Sequence, residues 1–212
     1  MLYKRYSPNG VNLDVDPIEQ GDGTWTEALN MVPVPGKMNR ARGYTEIYET
    51  PLFPPTFLMA TPQLGVPYWL YAGANNVAVI DESLQHIDIT PASLTSAVAA
   101  NSWSGGNLNG LAVINAVENE PYYWFNGIGQ EALPLPDQRT GTRYNVMRPF
   151  KYHLIGLGVT DPSGTYTDAL HWSDAADPGQ IPATWNPAPE NEAGDNILAD
   201  EAGAIIDGLA LR

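Results

Sequence analysis

Carboxylate pairs near the end of the chain are the residues best suited to acid–base chemistry. Asp174 and Asp177 bracket a turn before Pro178, and Glu190 and Glu192 follow in an acidic stretch that also contains prolines. A glycoside hydrolase uses two carboxyl groups, one as the acid and one as the nucleophile or base. Loop carboxylates equally serve to accept hydrogen bonds from backbone N–H groups. The catalytic use is therefore kept as the alternative, and we predict that none of these residues is catalytic.

Other patterns that could bind a metal or a phosphate depart from the required spacing. The acids among residues 14–22 do not follow the EF-hand order of ligands, glycine and terminal glutamate. The three histidines are far apart in sequence and none forms a close pair, as zinc ligands often do: His86, His153 and His171. The chain also contains neither a Gly-x-Ser-x-Gly elbow nor a phosphate-binding Gly-x-x-x-x-Gly-Lys loop. The sequence therefore predicts no metal and no cofactor.

The composition favours an acidic all-β protein. The chain has 212 residues with 20 Gly, 19 Pro and no Cys, and its formal net charge is −14. Turn residues placed between short apolar runs fit strands better than helices. So strong a negative charge disfavours nucleic-acid binding over a broad surface, because phosphates would be repelled. No apolar run is long enough to predict a membrane-spanning helix, and no signal peptide is recognisable.

A repeated aromatic segment organises the pattern of strands. Residues 67–73 read PYWLYAG, and residues 121–127 read PYYWFNG. Each follows an apolar run and a polar turn, which predicts a β-hairpin, and a looser copy spans residues 153–173. Hairpins that recur at roughly 40–50 residues are typical of β-propeller blades. Three unrelated hairpins of a β-sandwich would give a similar pattern.

The sequence predicts two regions. Residues 1–50 form an N-terminal arm and hairpin suited to docking, and residues 51–212 form propeller blades. Strands of the first blade are predicted at residues 57–60, 68–71, 77–80 and 85–89. Strands of the second are predicted at 111–117 and 122–125, with a poor third strand at 132–135 whose prolines place it at an edge. The third blade opens over residues 144–159. Residues 197–199 and 204–211 predict the start of a fourth blade, with an unpaired apolar edge near Ile205 and Ile206.

Tryptophans divide between two expected roles. Trp69, Trp124 and Trp172 lie in predicted strands, where large aromatic side chains pack between blades. Trp25 and Trp185 lie in predicted loops, and we expect them to contact other molecules.

Two stretches of the chain resemble a known family. The first contains Trp25 and Asn30, then the turn at Gly36, and ends on Arg42 and Gly43. The second reads Trp172-Ser173-Asp174, followed by Asp177-Pro178 and then Trp185. In order and spacing, both are similar to the tail tubular protein B or nozzle family of short-tailed phages and to the related DNA-stabilisation hub proteins.

The resemblance implies a virion structural protein with a β-propeller fold. Such subunits form a ring, usually of six copies, that joins the head-to-tail adaptor to the distal tail parts, and DNA passes through the ring without specific binding. It implies a protein made in the host cytoplasm and located in the phage tail, with no membrane partner. Members of the family are usually longer than 212 residues, so we expect a continuation of the chain or a second chain to complete the propeller.

Overall fold

A computed structural model describes residues 16, 19, 31–34, 37–40, 47–125, 131–198 and 203–209. The chain divides into two compact units, Met1–Ile47 and Tyr48–Arg212. In the first unit, β1 (Met31–Val34) pairs antiparallel with β2 (Lys37–Arg40). Within the described residues we find no helix with the length and apolarity needed to cross a lipid bilayer.

The second unit contains three antiparallel sheets of four strands, and the strands of each sheet follow one another in chain order. Together with the β1–β2 hairpin they make the described part of the chain all-β. Sheet 1 comprises β3 (Phe57–Ala60), β4 (Trp69–Ala72), β5 (Val77–Ile80) and β6 (His86–Asp88). Sheet 2 comprises β7 (Trp103–Leu108), β8 (Leu111–Ala116), β9 (Tyr122–Trp124) and β10 (Leu133–Pro134). Sheet 3 comprises β11 (Arg143–Phe150), β12 (His153–Asp161), β13 (Gly164–Trp172) and β14 (Gly194–Ile197).

Sheet 1 forms where the sequence predicted it. The predicted strands at 57–60 and 77–80 have the observed bounds, and the other two differ by one residue at each end. These four segments are short apolar runs separated by turn residues, so local pattern alone specifies them. In sheet 2 the prediction of an edge strand around Pro134 is confirmed, because β10 pairs only with β9.

The first strand of sheet 2 was missed by the sequence prediction. β7 has the sequence WSGGNL, whose polar residues and glycines have little β propensity. It is paired along its whole length with β8, which is fully buried. The aromatic repeat therefore does not occupy equivalent positions: its first copy falls on the second strand of sheet 1, and its second copy on the third strand of sheet 2.

The predicted fourth blade is also wrong within the described residues. Gly194–Ile197 is the last strand of sheet 3 and pairs with β13, while residues 203–209 form no strand. Instead, the Ile205 N–H donates to the carbonyl of Thr167 at 2.9 Å. The carboxylate of Asp207 accepts two bonds from the guanidinium of Arg148, both at 2.8 Å. Residues 203–209 therefore cross sheet 3 and do not form the predicted unpaired β edge near Ile205 and Ile206, although Ile206 is exposed.

Sheet 2 lies between the other two sheets, because alternate residues of its strands join two different cores. Ala112, Ile114 and Tyr122 pack with Leu70 and Val79 of sheet 1. On the opposite face, residues of sheet 2 and of its connections pack with buried side chains of sheet 3: Leu108, Val113, Tyr123 and Leu135. The alternation follows from the two-residue period of a strand, which sends successive side chains to opposite faces.

The first strands of the three sheets are neighbours. β3 adjoins β7, and β7 adjoins β11. The segments that leave the fourth strands of sheets 1 and 2 contribute buried side chains to the next core, including Ile89 and Val98 after sheet 1 and Leu135 after sheet 2. Each connection therefore packs against the face that receives the next sheet.

Candidate functional site

The loop at residues 173–193 joins β13 to β14 and contains the second of the two family-like stretches. Its ends are tied together by hydrogen bonds. The indole N–H of Trp172 donates to the carbonyl of Glu192 at 2.7 Å. Oδ1 of Asp174 accepts from the N–H groups of Ala175 and Glu192, at 2.9 and 3.0 Å. Asp174 thus acts as the acceptor that closes the base of this loop.

Ser173 is fully buried beside Asp174. Its hydroxyl accepts from the N–H of Leu154 at 3.0 Å and donates to the carbonyl of Asp174 at 2.8 Å. Nδ1 of His153 lies 2.9 Å from the carbonyl of Ser173, while Nε2 lies 3.3 Å from the carboxylate of Glu192. The Ser173 hydroxyl is committed to backbone groups on both sides.

Asp177 and Pro178 lie at an exposed turn that reaches sheet 2. The carbonyl of Asp177 accepts from the Gln180 N–H at 2.9 Å. The Gly179 N–H donates to the carbonyl of Asn109 in the β7–β8 turn at 3.0 Å, and Nδ2 of Asn109 donates to Ala176 at 3.4 Å. This part of the loop therefore links sheet 3 to sheet 2.

Trp185 was expected to contact other molecules, and that expectation is wrong. Its side chain is fully buried and its ring stacks on Tyr144, with the centroids 5.5 Å apart and an interplanar angle of 26°. The guanidinium Nε of Arg139 donates to the carbonyl of Trp185 at 3.0 Å. The loop folds back and inserts Trp185 into the core beneath sheet 3, and local sequence did not show this.

Arg139 is the centre of a polar cluster that sequence reasoning missed. Nη2 donates to the carboxylate of Asp195 at 2.6 Å, and Nη1 lies 3.4 Å from Nε2 of His171. A guanidinium can only donate, so Nε2 of His171 is the acceptor and the ring proton is on Nδ1, 3.4 Å from the Tyr144 hydroxyl. No local signal in the sequence indicated that Arg139 would meet residues of β11, β13 and β14.

Burial dominates the electrostatics of this cluster. It lowers the pKa of His171, and the charge of Arg139 lowers it further, against smaller opposing effects of Asp195 and Asp161. Burial also raises the pKa of Tyr144 far above its ordinary value. Both rings are therefore neutral near pH 7. A cleft of about 250 Å³ opens beside Arg139, His171 and Asp195.

Two apolar surfaces lie at the ends of the three-sheet stack. The outer face of sheet 1 is formed by Leu58, Trp69, Tyr71, Ile80 and His86, which line a cleft of about 280 Å³. The outer face of sheet 3 is formed by Phe150, His153, Ile155 and Trp172, with Glu192 beside them. Of the strand tryptophans expected to pack between sheets, Trp124 is buried, whereas Trp69 and Trp172 lie on these outer faces.

Trp103, on the strand that the sequence did not predict, also joins sheets 1 and 2. It is buried, and its indole N–H donates to the carbonyl of Gly73 at 2.8 Å. Sheets 2 and 3 are joined in a similar way, because Nδ2 of Asn115 donates to the carbonyl of Tyr144 at 2.9 Å. These polar contacts fix each sheet against the next.

The remaining predicted site residues belong to the first of the two family-like stretches. Trp25, Asn30, Gly36, Arg42 and Gly43 lie outside the described residues. Among the residues that are described, no three of His, Asp or Glu are placed to hold a metal ion. No protein-family model matches the chain, and no curated protein is significantly similar to it.

Proposed function

We propose that the chain is a structural subunit of a short phage tail, of the nozzle or hub type, built as part of a β-propeller. Its copies form a ring, six in number by the resemblance, which joins the head-to-tail adaptor to the distal tail and lets DNA pass. Its task is mechanical, so it needs rigid sheets and extensive contacts with neighbours rather than a reaction centre. The 173–193 loop serves that task, because it ties sheet 3 to sheet 2.

The observation that carries the proposal is the plan of the three sheets. Each is a four-stranded meander, and their first strands adjoin in the order β3, β7, β11. Four-stranded meanders whose first strands surround a common axis are the plan of a propeller. The same fold is implied independently by the two family-like stretches.

The position of residues 203–209 is evidence for a further sheet that packs on sheet 3. It crosses sheet 3 through the bonds of Ile205 to Thr167 and of Asp207 to Arg148. The segments after sheets 1 and 2 pack in the same way against the face that receives the next sheet. By this regularity, the outer face of sheet 3 is a surface on which another sheet packs.

The net charge suits a wall along which DNA must move. A charge of −14 per copy repels phosphates, so a ring of such copies would not retain a polyanion.

Carbohydrate binding or hydrolysis is the second candidate, favoured by the rings of Phe150 and Trp172 beside the carboxylate of Glu192. Sugars stack on aromatic rings and bond carboxylates, so these groups are chemically suitable. The Trp172 indole N–H already donates to the backbone carbonyl of Glu192, however, and the ring packs closely against Gly194. The tail function therefore explains more of the fold.

Electron microscopy of the purified chain, alone and mixed with the head-to-tail adaptor encoded in the same genome, tests the proposal. We expect a six-fold ring that binds coaxially to the adaptor. A chain that neither forms rings nor binds the adaptor, but binds or cleaves oligosaccharides, would favour the second candidate instead.

A further inference from the structure

We propose that the cleft beside Arg139 binds one ring of a neutral saccharide. The cleft lies on the inner face of sheet 3, where Val159 and Ala169 also join the core shared with sheet 2. Its volume is about 250 Å³, which is below the lower end of about 300 Å³ usual for ligand sites, so its ligand is small. The site is contained in one copy of the chain and does not depend on the proposed ring of subunits.

An irregularity in the β12–β13 hairpin brings Tyr166 to this cleft. Leu157 packs against Gly208 of the segment that crosses the outer face, whereas Val159, two residues later, belongs to the core on the inner face. Residues two apart in a regular strand share a face, so the register shift between Leu157 and Val159 turns the end of the hairpin over. Gly158 between them has a φ of +62°, which glycine adopts without strain. Tyr166 pairs with Val159 and therefore lies on the inner face.

Tyr166 supplies an aromatic wall. Its side chain is 37% exposed although it lies in a strand, and Ala169 and Ile197 line the cleft with it. The face of a sugar ring carries C–H groups, which pack on an aromatic ring, while the hydroxyl groups at its edge need polar partners.

Arg139 offers hydrogen-bond donors to the cleft. Three of the five N–H groups of its guanidinium are directed at protein groups: the carbonyl of Trp185 at 3.0 Å, the carboxylate of Asp195 at 2.6 Å and Nε2 of His171 at 3.4 Å. The other two, one on each terminal nitrogen, have no partner in the part of the chain that the structure describes. His171 is buried and acts as a positioning residue, because its contact keeps the guanidinium in place.

Two carboxylates place acceptors beside these donors. Oδ1 of Asp161 accepts from the N–H groups of Ser163 and Gly164, at 2.7 and 3.0 Å, while its Oδ2 has no partner among the described residues. Oδ2 of Asp195 is bonded to Arg139, and within the described chain its Oδ1 is likewise unused. A hydroxyl group suits such a mixture, because the same oxygen donates one hydrogen bond and accepts others.

The charges of the cleft favour a neutral ligand. Asp195 pairs with Arg139 at 2.6 Å, and the carboxylate of Asp161 adds a negative charge, so a phosphate or a carboxylate would be repelled. The guanidinium disfavours a metal ion, and among the described residues no three carboxylate or histidine ligands are placed to hold one. A sugar ring combines the apolar face and the neutral hydroxyl groups that this cleft fits.

Saturation-transfer NMR on the full chain tests the site, with glucose, galactose, mannose and N-acetylglucosamine added one at a time. At least one of them should bind with a dissociation constant on the order of 1 mM, because so small a cleft contacts a single ring. Inorganic phosphate should not displace the sugar. Tyr166→Ala should weaken binding about tenfold through loss of the stacked ring, whereas Tyr166→Phe keeps the ring and should retain binding. Asp161→Asn keeps Oδ1 and the turn, but it replaces the unused acceptor with a donor and should also weaken binding.

Phe150→Ala is the matched control, because Phe150 is an aromatic residue with the same 37% exposure on the outer face of sheet 3. It should leave sugar binding unchanged, and circular dichroism confirms that each variant is folded. The proposal is overturned if none of the four sugars binds, if phosphate displaces the sugar, or if Tyr166→Ala binds as tightly as the unsubstituted chain. Loss of binding in Phe150→Ala would also overturn it, because the sugar would then lie on the outer face.

Discussion

Asp174 and Asp177 lie three residues apart in the same loop, but their side chains have different surroundings. Asp174 accepts from two backbone N–H groups, whereas the side chain of Asp177 is exposed. Replacing Asp174 with Ala leaves both N–H groups without this acceptor, so we expect the free energy of unfolding to fall by about 1–2 kcal/mol. Asp174→Asn keeps Oδ1 and should lose less. Urea denaturation measures these differences.

Asp177→Ala is the matched control, and it should change the free energy of unfolding by no more than about 0.5 kcal/mol. The same variants also separate the structural from the catalytic use of the pair. If Asp174→Asn were as stable as the unsubstituted chain but abolished a glycosidase activity present in the parent, Asp174 would be catalytic and the structural interpretation would be wrong.

The lowered pKa of His171 predicts how the free energy of unfolding depends on pH. Its pKa is lowered from 6.5, first by burial and then by Arg139, so the folded chain resists a proton that the unfolded chain accepts. The stabilisation is fully present above about pH 6.5 and is lost as the pH falls below that value toward the lower pKa of the folded state. We expect the urea midpoint to fall between pH 7.5 and pH 5.5, and His171→Gln to reduce that fall.

His153→Gln should retain the fall, because His153 is not part of the Arg139 cluster. Arg148 holds the pKa of Asp207 below its ordinary value of 3.8. The stabilisation from this carboxylate is therefore complete above about pH 3.8 and is lost only at lower pH, outside the range from pH 7.5 to pH 5.5. Equal slopes for the unsubstituted chain and His171→Gln would contradict the assignment to His171.

Among the connections, the 173–193 loop shows how a segment without regular structure stabilises the sheets. Trp185 is fully buried against Tyr144 although it lies in this loop. Trp185→Ala should therefore lower the free energy of unfolding by about 3–5 kcal/mol, as expected for a large side chain removed from a core. Chemical denaturation followed by circular dichroism measures the loss.

Tyr152→Ala is the control for that measurement, because its aromatic ring is 53% exposed. It should cost no more than about 0.5 kcal/mol. A Trp185 variant as stable as the Tyr152 variant would show that the loop adds little to the fold, and Trp185 would then be available as a contact residue after all.

The elements also show how far local sequence determines this fold. Sheet 1 could be predicted because its strands are apolar runs separated by turns. β7 could not, because its glycines and polar side chains pair through β8 and bond across sheets, as Ser104 does with Met147. The role of Asp174 as an acceptor could be predicted from its residue type and its place in a loop, but its partner Glu192 could not. The cluster around Arg139 joins residues more than 30 positions apart, so it depends on the packing of the sheets.

At the scale of the whole molecule, the negative net charge predicts both how salt acts on assembly and that the chain does not bind DNA. Each copy has a net charge of −14, so two copies repel each other at low ionic strength. Added salt shortens the Debye length to about 10 Å at 0.1 M and screens that repulsion. We therefore expect assembly to strengthen between about 0.02 and 0.3 M NaCl in sedimentation experiments. Binding of duplex DNA, followed by gel shift over the same range, should remain undetectable at micromolar protein, because a chain with 24 acidic and 10 basic residues repels phosphates. Assembly that dissociates on adding salt would indicate contacts made mainly by opposite charges, and sub-micromolar DNA binding at low salt would contradict a channel wall that repels DNA.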